Sequence, residues 1–481
     1  MGLKIYNINL YKEPMNMKGG KVIASGGYGC VFRPAIRCKN QPDSEYDPNK
    51  ITKLMTNKHA KKEFAVIEKF RKLLSKIPNY SDFFLVEDFS ICHPEQLTQE
   101  DFVDFETKCT ALKKDKIDAS NVNKSLRKIM ALNMPDAGLD MGDFITLDTS
   151  PEEFAKLNSS LVQLLNEGIV PMNNLNIYHC DVKEGNIMVK TDMNRIYTRL
   201  IDWGLSTEYH PSKDNAVPRS MYKRPFQYNT PFSCILFNKK FQEMYDSFLK
   251  DSPDPTYYNI REFVINFIFV WLEKRGDGHI GTINSIMKQL FKKDLPMLDD
   301  LMQQRFIEYD FTYYYIVEYI SQILHVYTQD GKFKMKDYFA NIYIKNIDKW
   351  GFLMAYSIII DKYYNEYDRL TNKQIALYKK IKDILVRFLF ERPTELIDIP
   401  TLSQELLSLN DIMLGVKHSN KFLSSEQQLL AEYSSSHSNK TGGGGAWTRK
   451  YKKSINCKRP KGFSQKQYCK YGRRKTRKLK N

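Results

Sequence analysis

Residues 176–189 read NIYHCDVKEGNIMV, and this stretch constrains the chain more than any other. "IYH" and "NIMV" have the composition of strand ends, while "CDVKEG" carries the turn between them. His179, Asp181, Lys183 and Asn186 therefore sit where a chain otherwise buries apolar groups. A buried polar group without a partner costs roughly 1–3 kcal/mol. The four residues must then either cap a turn, the commonest fate of a loop Asp, or face a shared cleft. Downstream, "TRLIDWGLS" is a second apolar strand ending in Asp202-Trp-Gly. Upstream, "VIASGGYGCVF" places a Gly-rich turn between two strand-like runs, and "ITKLM" sets one lysine inside an apolar run. The order along the chain is Gly-rich hairpin, strand Lys, helix Glu, H-x-D-x-K-x-x-N, then D-x-G.

Around these motifs the chain changes character. Within residues 18–135 the runs "KVIAS", "CVFRPAI", "ITKLM", "FFLVEDF" and "KIMALNM" read as strands broken by Gly, Pro and Asn. One amphipathic helix interrupts them, "NKHAKKEFAVIEKFRKLLSKI", with Phe64, Ile67, Phe70 and Leu74 at helical spacing. From residue 150 onward helical patterns dominate, including "REFVINFIFVWLEK", "TYYYIVEYISQILHVYT" and "ALYKKIKDILVRFLFE". A small strand-rich part followed by a larger helical part predicts an α+β fold, with a cleft between the two parts as a ligand site.

The charge is uneven. Residues 447–481 hold 15 Lys or Arg and no acid, so of the net +17 only +2 is left for residues 1–446. Between them, residues 432–446, EYSSSHSNKTGGGGA, read as a flexible linker. No run of about 18 apolar residues marks a membrane span, and "MGLKIYNINLYKE" lacks the apolar core of a secretory signal. Tyr6 stands where a myristoylation signal wants Ser or Thr. The eight cysteines include no Cys-x-x-Cys pair, which argues against structural zinc. Reduced thiols in an intracellular, non-secreted protein are the expectation.

The ordered motifs resemble those of the protein kinases, and the composition, insertions and tail look like the serine/threonine kinases of giant DNA viruses. The resemblance covers most of residues 20–415 and implies a bilobal protein-kinase-like fold. It places a β-rich lobe at 18–135 and a helical lobe at 136–420 with a helical insertion at about 235–340, followed by a Ser/Gly-rich linker at 421–446 and a disordered basic tail at 447–481. It implies ATP- and Mg2+-dependent phosphoryl transfer to Ser or Thr of protein substrates. By that resemblance Asp181 orients the acceptor hydroxyl and takes its proton, and Lys183 reaches the transferred phosphate. Asn186 and Asp202 hold Mg2+, and Lys53 holds the α- and β-phosphates. Glu63, favoured over Glu68, steadies Lys53. The hairpin Ala24, Ser25, Gly26, Gly27, Tyr28, Gly29, Cys30 and Val31 covers the phosphates, and residues 133–138 contact adenine. "NIDKWGFLMAYSIII" and "FERPTELIDIPTL" resemble the helix that anchors the helical lobe and its Arg-bearing end.

The chain also departs from that pattern. Ala24 stands for the first loop glycine, Trp203 for Phe, and Cys180 for the Arg that pairs with a phosphorylated activation loop. Independence from activation-loop phosphorylation is therefore expected. "NTPFS" keeps Pro231 without a following Glu, which deprives Arg392 of its usual partner. A polar insertion occupies about 93–125. Ser206, Thr207, Ser212 and Ser220 are candidate autophosphorylation sites.

Fold does not fix activity. A pseudokinase scaffold is the main rival, and a small-molecule phosphotransferase, against which Lys183 weighs, is another. The tail supports a third reading, a nucleic-acid-binding virion component. There Tyr451, Phe463, Tyr468 and Tyr471 interleave with cations that suit nucleic acid or another polyanion. Basic runs also serve as nuclear localisation signals. No membrane partner is expected, and the site would lie in host cytoplasm or virion if the chain is viral.

Overall fold

The computed structural model describes residues 20–42, 46–211, 213–214, 216–291 and 311–415. The linker, the basic tail and Ser212 lie outside these residues. The chain divides after Val416, a few residues before the boundary of 420 read from sequence.

Among the described residues the chain is mixed α/β, with its largest sheet near the start and helices thereafter. The sheet is antiparallel, ordered β1-β2-β3-β5-β4, with β1 Lys21–Ser25, β2 Gly29–Arg33, β3 Lys50–Thr56, β4 Ser90–Cys92 and β5 Ile129–Pro135. Side chains alternate across a strand. On β3, Thr52 and Leu54 face one way, and Leu54 packs with Val22, Phe32 and Ile129. Lys53 and Met55 face the other way, and Met55 joins the core shared with the helices. Helix α1, Asn57–Leu74, lies on this second side and buries Ala60, Ile67, Phe70 and Leu74, while Arg71 and Lys72 suit the negative end of its dipole.

Two expectations are corrected here and a third is extended. "FFLVEDF" is not a strand: Tyr80–Phe83 is a helical turn, and the edge strand follows at Ser90–Cys92. Phe83, Phe84, Leu85 and Val86 are all buried, so the run has no two-sided alternation for a strand to express. Second, the polar-looking segment 93–125 covers the outer face of the sheet, with Leu97, Phe105, Leu112, Ile117 and Val122 completing a separate core. Third, the cysteines of this region are not reduced thiols. Cys30 joins Cys109 and Cys38 joins Cys92, at Cα separations of 5.2 and 5.7 Å. Cys30–Cys109 ties β2 to the outer cover, and Cys38–Cys92 ties the connection after β2 to β4, juxtapositions that local pattern cannot reveal. Cys180 and Cys234 are free and buried.

The helical part starts with β6 Leu139–Asp140 and α2 Pro151–Gln163, whose first turn has a capping box between Ser150 and Glu153. Strands β7 Ile177–Tyr178, β8 Ile187–Asp192, β9 Arg195–Leu200 and β10 Thr207–Glu208 frame the polar turn of residues 179–186. Then come α3 Lys239–Asp251, α4 Tyr257–Arg275, α5 Ile280–Phe291, α6 Phe311–Tyr327, the hairpin β11 Thr328–Gln329 and β12 Lys332–Phe333, α7 Ile344–Ala355, α8 Ser357–Asn365, α9 Asn372–Leu385 and α10 Ile399–Leu414. Helices α2 and α10 meet at a buried amide. Asn158 donates to the Leu406 carbonyl and to Asn410 Oδ1, both at 2.8 Å, and accepts from the Tyr356 hydroxyl at 2.8 Å. The segment read as an insertion is mostly helical where described and also holds the β11–β12 hairpin. Its core is continuous with its surroundings, because Tyr319 of α6 packs on Phe232 and Trp350 at 5.5 Å.

No helix among the described residues is long and apolar enough to cross a membrane. The stretch "REFVINFIFVWLEK" lies within α4 and buries Phe263, Val264, Phe267, Ile268 and Trp271.

Candidate active site

The β1–β2 hairpin pairs Ser25 with Cys30 and closes with Gly26 N–H donating to the Gly29 carbonyl at 2.9 Å. Gly29 has a packing reason of its own, since a Cβ there would lie 2.3 Å from Met55 Cγ. A Cβ placed on Gly27 would meet nothing within 4 Å, so the backbone there stands in open space. Tyr28 is exposed and stacks on His59 of α1 at 4.5 Å. Two of the hairpin residues read as nucleotide contacts direct their side chains elsewhere. The Ser25 hydroxyl accepts from Ala111 N–H at 3.1 Å, and Cys30 is buried in the outer core in its bridge to Cys109. Only their backbones remain available on the hairpin. Ala24 pairs with Val31, and Val31 sits opposite Lys53 on β3.

Lys53 Nζ donates to Glu63 at 2.7 and 2.9 Å, with both side chains about four-fifths shielded. Glu68 instead bonds Arg71 at 3.1 and 2.9 Å, and that bond holds its carboxyl below the usual range. The ambiguity between the two glutamates is thereby settled in favour of Glu63 as the lysine's partner. At the end of β5, residues 133–138 pass to the helical part. Asp136 pairs with Arg33 at 2.7 Å, and Gly138 has a φ of +91° and no room for a Cβ against the Val189 carbonyl.

The polar turn is held from behind by α7. Asp348, fully buried, accepts from Cys180 N–H at 2.7 Å, His179 N–H at 2.9 Å and Asn173 Nδ2 at 2.8 Å. Gly351, one turn on, lets this helix approach, because a Cβ there would lie 2.3 Å from the Val182 carbonyl. His179 is a structural hydrogen-bonder: it is buried, with Nε2 at 2.9 Å from the Ile201 carbonyl.

Asp181 is the node of the turn. Its Oδ1 accepts from Asn229 Nδ2 at 2.8 Å, and its Oδ2 accepts from Asn186 Nδ2 at 3.1 Å and Lys183 Nζ at 3.2 Å. The Asn186 nitrogen also bonds the Asp181 carbonyl at 2.8 Å, which leaves the amide oxygen as a free-standing acceptor. Ile187 of β8 pairs with Leu200 of β9, and Ile201 N–H donates to the Asn186 carbonyl at 3.1 Å. Asn186 and Asp202 therefore leave the same end of one hairpin. Asp202 is exposed, adopts a φ of +65° and accepts from Gly204 N–H. Trp203 turns inward, stacked on Phe70 of α1 at 5.5 Å and edge-on to His179 at 4.9 Å. The helix that carries Glu63 is thus packed against the turn that carries Asp202.

Among the described residues no three His, Cys, Asp or Glu side chains cluster as a metal site. Asn186 and Asp202 nonetheless fit Mg2+, which takes hard oxygen donors, keeps several waters and relies on one or two protein ligands plus phosphates.

Sequence reasoning misses three contributors. Asn229 reads there only as part of "NTPFS", yet it orients Asp181. Tyr228 donates its hydroxyl to Glu184 at 2.7 Å, while its carbonyl accepts from Trp350 Nε1 at 3.0 Å. Arg224, 6% exposed, donates to the Cys180 carbonyl at 3.0 Å. The one available signal was an arginine followed directly by Pro225 and Phe226 in "RPFQY". Cys180 itself offers no charge, since burial pushes its thiol well above the usual range. Arg392 is 60% exposed and among the described residues pairs with Glu395 at 3.4 Å. Of the candidate modification sites, Ser206 donates to the His179 carbonyl at 3.2 Å, Thr207 pairs with Tyr178 in the small sheet, and Ser220 is exposed.

Neither the models of known protein families nor the curated proteins compared with this chain give a match.

Proposed function

We propose that the chain is a bilobal, protein-kinase-like enzyme that transfers the γ-phosphoryl group of ATP to Ser or Thr hydroxyls of proteins. The observation that carries this reading is the arrangement around Asp181. A carboxylate 8% exposed is held by Asn229, Asn186 and Lys183, at the end of the hairpin that also presents Asp202. The Lys53–Glu63 pair on the sheet complements it.

Phosphoryl transfer needs positioning and neutralised charge more than covalent help. In this reading Asp181 accepts a hydrogen bond from the acceptor hydroxyl and takes its proton as the bond to phosphorus forms. Lys183 turns from Asp181 to the transferred group, whose bond to the β-phosphate oxygen breaks, leaving ADP. Lys53, steadied by Glu63, holds the α- and β-phosphates, and the open backbone at Gly27 lets the hairpin cover them. Mg2+, when bound through Asn186 and Asp202, neutralises the polyphosphate charge. The reading is tested by incubating the purified chain with ATP, Mg2+ and a mixture of protein acceptors and mapping phosphosites by mass spectrometry. Phosphoserine or phosphothreonine that requires both ATP and Mg2+ is expected. Modification of neither acceptors nor the chain itself would contradict it.

A further inference from the structure

A cavity of about 290 Å³ opens beside the polar turn, between Glu184, Tyr228, Gln289 of α5 and Asp361 of α8, with Ile286 and Ile358 among its apolar walls. Its wall also carries the hydroxyls of Thr282, Ser285 and Ser357, yet two of its acceptors are left unmet. Glu184 Oε1 accepts from Tyr228, but Glu184 Oε2 is buried with no partner among the described residues. Gln289, 6% exposed, donates through Nε2 to Asp361 Oδ1 at 2.5 Å. That bond fixes which end of the amide is oxygen, and Oε1 is likewise buried and unpaired. Asp361 adds a second carboxylate.

Two neighbouring cations among the described residues are committed elsewhere. Lys183 pairs with Asp181, and Lys362 donates to the carbonyls of Gly142 and Ile145. His279 is nearby, and burial pushes its pKa down, which keeps the ring neutral at pH 7. Buried acceptors without donors are costly, and a cationic side chain supplies donors and charge together. The volume falls just below the usual range of about 300–1,000 Å³ for small-molecule sites and suits one long side chain. A second cavity of about 530 Å³, between α3 and the β11–β12 hairpin, adjoins Lys250 and Lys332 and has no such acceptor excess.

We infer that this cavity receives a Lys or Arg side chain of the protein substrate close to the phosphoacceptor. The inference rests on the phosphoryl-transfer reading above. Glu184 follows Asp181 by three residues, a reach of at most about 11 Å. An extended substrate covers that distance in about three residues. The recognised cation therefore lies within about three positions of the acceptor Ser or Thr. Helix α5 acquires a role here, because the segment read as an insertion builds one wall of the substrate site.

The test uses the full chain with ATP, Mg2+ and synthetic peptides carrying one central Ser. Arg, Lys, Ala or Glu is placed singly at each flanking position, at about 0.15 M salt to screen long-range attraction. One flanking position is expected to favour Arg or Lys over Ala by about tenfold or more in kcat/KM, the scale of a charge-assisted hydrogen bond. Glu there falls below Ala. In Asp361→Asn and Glu184→Gln the Arg-to-Ala ratio drops toward unity. Phosphorylation without any basic preference, or a preference that survives both substitutions, overturns the inference. Binding of the same peptides by fluorescence anisotropy separates the two readings. If no peptide is phosphorylated, the phosphoryl-transfer reading fails. The cavity then stands only if the Arg peptide binds more tightly than the Ala peptide and loses that margin in both variants.

Discussion

The sheet and the helical part hold their share of the candidate site by different means. On the sheet, Lys53 is steadied by one ion pair with about a fifth of each side chain exposed, and of the two disulfides around it one clasps β2 to the outer cover and the other clasps β4 to the connection after β2. In the helical part, Asp181 is held by two amides and a lysine, and the turn beneath it hangs from one buried carboxylate, Asp348. The difference teaches where each half is vulnerable. The sheet side can lose a site contact and keep its fold, whereas the helical side couples the site to a buried network that cannot be cut without destabilising the chain.

The largest effect should come from Asp348→Ala. It strands three buried N–H donors, two from backbone and one from Asn173, and a loss of about 3 kcal/mol or more in unfolding free energy is expected by chemical denaturation. A loss below about 1 kcal/mol would remove Asp348 as the anchor.

Next comes the outer cover. Cys109→Ser with Cys30→Ser should cost about 2–4 kcal/mol, with hydrogen exchange rising first across residues 97–125. Exchange rising first in the helices instead would contradict the division drawn between the two regions.

Smaller in stability but selective for activity is Glu63→Gln. The partly shielded pair contributes about 1 kcal/mol or less to folding. Phosphate transfer should nevertheless fall by about tenfold or more, as expected when a charge-assisted contact that positions substrate is lost. Glu68→Gln, whose carboxylate serves Arg71, should leave transfer unchanged. Equal effects of the two substitutions would erase the distinction between the glutamates.

The smallest effect on peptide phosphorylation is expected from deleting residues 440–481. That deletion should abolish salt-sensitive retention on heparin, because the tail carries 15 cations and no acid. Retention that survives the deletion would place polyanion binding elsewhere.

The same contrast between the two regions explains what was legible in the sequence. Periodicity revealed α1, and the spacing of Lys53 and Glu63 within a strand and the next helix was readable because both elements are local. The polar turn was readable because its residues lie within one short loop. The outer cover was not, because residues 93–125 are polar on average and reveal their apolar face only when β1–β3 are set against them. The disulfides share that cause, with partners 79 and 54 residues apart. Asn229 is 48 residues from Asp181, and an asparagine before Thr-Pro signals a turn whether or not it also orients a carboxylate. The continuity of α6 with the main core was hidden likewise, since a long helical segment carries no mark of what it packs on.

The central claim is that Asp181 and Asp202 act together on a magnesium-bound nucleotide. Its most direct test is transfer of radiolabelled phosphate from ATP by wild type, Asp181→Asn and Asp202→Ala, with folding checked by circular dichroism. Loss of about 10²–10⁴-fold in kcat for Asp181→Asn, and loss of Mg2+-dependent transfer for Asp202→Ala, both in folded protein, is the result expected. Equal incorporation by wild type and either variant would contradict the account.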